Sequence, residues 1–98
     1  MEKINLVFDD EYDDVDILLV PKAIADNIDA VVNEFFSWTA IPENGQRFVA
    51  EAFGKTVLGI DTKEFIWWLN EIKISGDEKA QVLEEHTSYC PEYPRADF

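Results

Sequence analysis

The chain has 98 residues, 47% of them hydrophobic and 13% aromatic, which is enough apolar surface for one self-supporting domain spanning residues 1–98 and excludes intrinsic disorder. Twenty-one acids against eight bases give a net charge of −13, a field that repels nucleic acid and anionic membrane and speeds encounter with a basic protein surface. The single cysteine, Cys90, cannot form an internal disulfide, and nowhere do eighteen apolar residues run together, so a cytoplasmic protein with neither signal peptide nor membrane span is expected.

Residues 4–8 (INLVF) and 15–20 (VDILLV) are short runs of branched aliphatics of strand length. Between them lies an acidic connection, and a six-residue link of this kind fits an antiparallel hairpin. Residues 17–20 are apolar at four successive positions, which predicts that both faces of the second strand are covered. From Lys3 to Lys22 the acids Asp9, Asp10, Glu11, Asp13, Asp14 and Asp16 follow one another without a base between them.

Residues 21–38 carry the clearest periodicity. At 100° per residue, Ile24, Ile28, Val31, Val32, Phe35, Phe36 and Trp38 fall in an arc about 160° wide, with Lys22, Asp26, Asp29, Asn33, Glu34 and Ser37 opposite. The spacing predicts an amphipathic helix that packs on the N-terminal strands. Pro21 suits its first turn, and Asp26 places a carboxylate near the positive end of the helix dipole.

Pro42 and Gly45 break that helix into a loop. Residues 46–53 (QRFVAEAF) are expected as a short helix, with Phe48 above Ala52, Val49 above Phe53 and Gly54 as a left-handed cap; a strand is the alternative. Residues 56–60 (TVLGI) suit a third strand or an extended link. Asp61 and Glu64 have the spacing of a capping box and should start a helix through Ile72, with Phe65, Trp68, Leu69 and Ile72 facing inward and Ile66 at the flank. Trp67 lies about 160° from Leu69 on that wheel, among Lys63, Asn70 and Glu71. It is either covered by another segment, such as the tail, or exposed as a partner anchor. Residues 77–89 are expected as a further helix with the stripe Val82, Leu83, His86 and Tyr89. The tail, residues 90–98, has two prolines and no period, and should be extended.

Motifs for chemistry are sparse. The register of the acidic connection does not fit an EF-hand: counted from Asp9, the glycine position holds Asp14 and the bidentate-acid position holds Val20. Gly54, Lys55 and Thr56 match the end of a phosphate-binding loop, but the glycine five residues earlier is replaced by Val49. His86 and Cys90 would be neighbours on one helix face, yet no third group to orient them is evident. No metal, cofactor or catalytic residue is assigned.

The expected fold is α+β: a small N-terminal sheet of two or three strands packed by an amphipathic helix, then a mainly helical C-terminal half. The expected function is that of a non-catalytic acidic binding protein, an inhibitor, nucleic-acid mimic or immunity-type protein, that occupies a basic surface of a protein partner through Asp9, Asp10, Glu11, Asp13, Asp14, Asp16 and Trp67. The alternative is a structural or regulatory module that forms a homodimer through an apolar patch including Trp67. Neither nucleic acid nor membrane is expected as a direct partner.

Overall fold

Successive side chains of a strand point to opposite faces, so Ile4, Leu6, Leu18 and Val20 share one side of any antiparallel pair that places Ile4 opposite Leu18. In the computed structural model, which describes residues 1–7, 14–52 and 54–98, that register is observed and all four side chains are completely buried. The elements in chain order are β1 (Glu2–Val7), β2 (Asp14–Val20), α1 (Lys22–Asp26), α2 (Ile28–Thr39), α3 (Pro42–Gly45), a 3-10 turn (Gln46–Phe48), β3 (Val49–Ala52), β4 (Lys55–Leu58), α4 (Thr62–Trp68), a π-helical turn (Leu69–Lys73), β5 (Gln81–Ser88) and β6 (Arg95–Asp97). The described residues form a four-stranded mixed sheet in the order β5-β2-β1-β6 and a separate hairpin of β3 with β4. The fold is α+β.

Helices cover one face of the sheet. Ile24, Ala25, Ile28, Val31, Val32 and Phe35 from α1 and α2, and Phe65, Trp68 and Leu69 from α4 and the turn after it, close over Ile4, Leu6, Leu18 and Val20. Each fully buried aliphatic or aromatic side chain here contributes about 1.5–3 kcal/mol relative to exposure. Phe35 sits at the centre. Its ring lies 5.3 Å from Phe65, 5.2 Å from Trp68 and 6.0 Å from Phe98 between centroids.

The periodic stretch of residues 21–38 is helical in two pieces. At Asn27 (φ −125°, ψ 30°) the chain leaves the helix, and the Asn27 side chain donates to the Ala23 carbonyl. Asp26 therefore ends a short helix instead of opening a long one, and binds Lys22 one turn back at 2.8 Å. Asp29 takes the place near the positive end of α2. Of the predicted arc, Phe36 stays partly exposed at its border and Trp38 is half-buried.

The capping box at the start of α4 is present in both directions. Asp61 accepts from the Lys63 N–H at 2.9 Å, and Glu64 accepts from the Asp61 N–H at 3.1 Å. The Asp61 carboxyl titrates below its ordinary range, first because a protonated Glu64 can donate to it; Glu64 is pushed up, first by burial and then by Asp61. Ile72, expected inside, is half exposed because the helix widens into its π-helical turn before that residue.

Three segments differ from expectation. Residues 46–52 form a 3-10 turn and a strand in place of a helix, because the β-prone residues that follow lie one tight turn away: Ala52 pairs with Lys55, and Gly54 (φ +73°) makes the turn. Residues 56–58 are thus a strand, but of this hairpin and not of the main sheet. Residues 81–88 form β5 instead of a helix, hydrogen-bonded along β2; in the expected stripe only Val82 packs on the main core, while Leu83, His86 and Tyr89 are exposed. The C-terminal half keeps one of its two expected main helices.

The tail is extended and tightly held. Six residues, at about 3.3 Å each, suffice to cross the roughly 14 Å from β5 to the far edge of the sheet. They pass the face opposite the helices, where Val7, Val15 and Ile17 pack with Tyr93. The completely buried Asn5 anchors them: its Nδ2 donates to the carbonyls of Cys90 and Tyr93, and its Oδ1 accepts from the Cys90 N–H. β6 then runs parallel to β1, and Phe98 reaches round into the aromatic cluster.

Candidate interaction surface

Asp16 shares its parity with Leu18 and Val20, so the strand aims it at the helix-covered face. It is 9% exposed. The Asp16 carboxylate accepts from the Thr62 hydroxyl at the start of α4 and, through its other oxygen, from the His86 N–H at 3.0 Å. Asp16 was expected on the open acidic surface; it is instead a buried brace between β2, β5 and α4. The alternation of residues 16, 18 and 20 is the signal that could have placed it.

That brace coincides with a bulge. Val15 pairs with Thr87 and Ile17 with Glu84, so Glu85 and His86 together stand opposite Asp16. His86 adopts φ +51°, a left-handed conformation that costs a non-glycine residue energy and is held here by the bond to Asp16. The bulge turns the imidazole outward, where Nδ1 lies 3.1 Å from Asp14 Oδ2. His86 titrates above its ordinary value of 6.5, first because of the hydrogen bond to Asp14, then because of the charges on Asp14 and Asp16.

This pair makes a prediction. In a proton NMR titration the His86 midpoint should lie above 6.5 and return towards that value in Asp14→Asn. A raised folded-state pKa means that the stabilisation is fully present below the unfolded value of 6.5 and is lost as pH rises through the folded one. Melting temperature should accordingly fall across that window in the wild type and less so in Asp14→Asn. A midpoint at or below 6.5 would contradict the pairing.

The other expected site residues are distributed as follows. Asp9, Asp10, Glu11 and Asp13 lie outside the described residues. Asp14 is half exposed at the start of β2. Further along the neighbouring β5 stand the exposed Glu84 and Glu85, and Asp77 and Glu78 are exposed on the approach to that strand. Sequence reasoning missed these last four because it spread residues 77–89 round a helix, whereas Glu84 and Glu85 lie on a strand at the sheet edge and Asp77 and Glu78 precede it. Trp67 is half-buried, 6.1 Å from Trp38 and 6.1 Å from Phe48, with the Arg47 guanidinium 5.0 Å above its ring. Its neighbours come from α2 and the segment after α3. A cleft of about 340 Å³ beside it is lined by Arg47, Phe48, Lys63, Glu64 and Trp67.

The motifs weighed for chemistry gain no support from their surroundings. Lys55 opens a strand, so the Gly54, Lys55, Thr56 triplet lacks the helix start that phosphate binding requires. His86 and Cys90 are not on one helix face, and the Cys90 N–H is bound to Asn5. Among the described residues no group of three His, Cys, Asp or Glu could hold a metal ion, and no helix is long and apolar enough to cross a membrane.

Fold and surface together define a class: an α+β protein with helices on one face of an open mixed sheet and an acid-rich outer strand. Comparison with protein-family models, with curated proteins and with solved structures gave no match.

Proposed function

We propose that the chain is a small acidic binding protein, without catalysis, that occupies a basic surface of a protein partner. Inhibitors, nucleic-acid mimics and immunity-type proteins are instances, in which carboxylates stand where phosphates would lie and meet Lys and Arg of the target. One observation carries the proposal: six of the eight bases are engaged within the fold while the acids of the β2 and β5 side stay in solvent. Lys22, Lys73 and Arg95 pair with Asp26, Glu34 and Asp97. The Lys79 ammonium donates to the carbonyls of Asn70 and Ile74, Arg47 lies over Trp67, and Lys3 lies over Tyr93. Among the described residues the exposed Glu84 and Glu85 have no ion-pair partner, and Asp14 has only His86. The alternative homodimer through Trp67 draws no support from the surroundings of that ring.

The test is capture of partners on the immobilised chain at low and at high salt, beside a variant with Asp9, Asp10, Asp13 and Asp14 all changed to Asn. A basic protein should be retained at low salt, released by added salt and lost on the variant. Retention indifferent to both changes would refute the proposal.

A further inference from the structure

β5 is the outer strand of the sheet, paired with β2 on one side and, among the described residues, with nothing on the other. It runs eight residues without proline, and six of them are exposed. The opposite edge is unlike it: β6 has three residues, and its Arg95 and Asp97 side chains bond each other at 2.6 Å. A long free edge offers a row of backbone donors and acceptors to any extended chain, and native proteins protect such edges with charge and bulges. β5 has both. Its permanent side-chain charges, however, are of one sign: Glu84 and Glu85 at its centre, with Asp77 and Glu78 before it; the imidazole of its His86 is taken by Asp14, and the nearby Lys79 is turned onto backbone carbonyls.

That sign selects the occupant. If two copies paired antiparallel about the middle of the strand, Glu84 of each would face Glu85 of the other, and like charges directly opposite are destabilising. The net charge of −13 on each chain adds to the repulsion. A segment carrying Lys or Arg at the facing positions would instead form opposite-charge cross-strand pairs while completing the backbone ladder. We propose that the outer edge of β5 takes an extended Lys- or Arg-bearing segment of the partner as an added strand. The proposal rests on the acidic-binder function above and specifies its mode.

Two synthetic peptides of alternating lysine and valine test it, one all-L and the other its diastereomer with alternating D and L residues. Charge and composition are equal; only the first can lie along β5 as a regular strand. The all-L peptide should bind about tenfold tighter or more, because several main-chain hydrogen bonds separate the two. It should also slow amide exchange within residues 81–88, and lose its advantage in the Glu84→Gln, Glu85→Gln double variant. Equal, salt-sensitive binding of both peptides would overturn the added strand yet leave the acidic-binder function standing. Binding of neither at low salt would overturn both. A wild-type chain that sediments as a dimer, with residues 81–88 already protected, would put a second copy on the edge and overturn the proposal.

Discussion

Phe35→Ala should cost about 3–5 kcal/mol, since truncating a buried ring loses both its transfer energy and the contacts round the cavity left behind. Phe35 is completely buried, and its neighbours come from three different segments of the chain: Phe65 and Trp68 from α4, Phe48 from the 3-10 turn and Phe98 from the C-terminal end. Those neighbours are rings held by strands and helices with separate anchors, so collapse into the void is poor. A domain of this size has about 5–15 kcal/mol of stability in all, and each 1 kcal/mol moves its melting point by about 4–8 °C. Urea unfolding should therefore show the midpoint shifted far down, or no folded baseline at all. Phe36→Ala is the control: Phe36 is 38% exposed at the border of the same cluster and should cost only about 1 kcal/mol. Equal costs for the two would mean that the core is not centred where the ring contacts put it.

Asn5→Ala should free the tail. It deletes two donors and one acceptor that together hold Cys90 and Tyr93, bonds of 2.8, 3.2 and 3.0 Å. Each is worth about 0.5–1.5 kcal/mol net, and leaving the half-buried backbone groups unpaired adds to the cost, for a total of about 2–4 kcal/mol. The backbone bonds from Asn5 to Pro94 and from Phe98 to Val7 depend on the same alignment. Amide exchange in residues 95–98 should therefore accelerate more than exchange in β1 and β2. Asn5→Asp should be no better, because the carboxylate keeps the acceptor but turns negative charge on two carbonyl oxygens. A variant with unchanged stability and unchanged exchange near Ala96 would contradict the anchoring role.

Local chemistry in the sequence was a good guide where one segment decides its own conformation. The aliphatic runs of residues 4–8 and 15–20, the apolar arc after Pro21 and the Asp61, Glu64 pair each specify an element that is observed, since propensity, period and capping agree there. The errors fall where a distant segment decides. Val82, Leu83, His86 and Tyr89 fit one side of a helix, but β2 offered an open edge and Asp16 a bond to the His86 N–H, and the ladder prevailed over a weak stripe. The docking of the tail is of the same kind, because Asn5 is one polar residue inside an apolar run and does not announce that it will hold residues 90 and 93. At the candidate surface, the charge excess was legible from composition. Which acids stand in solvent was not: Asp16 turned inward by strand parity, and Glu84 and Glu85 joined the surface through a strand that the periodicity did not suggest.

Binding by an uncovered carboxylate surface is tested most directly by the affinity of the chain for its captured basic partner over a series of salt concentrations. A steep fall in affinity with salt in the wild type, together with a weaker and flatter dependence when Asp9, Asp10, Asp13 and Asp14 are all Asn, is the expected result. An affinity that ignores both salt and substitution would contradict it.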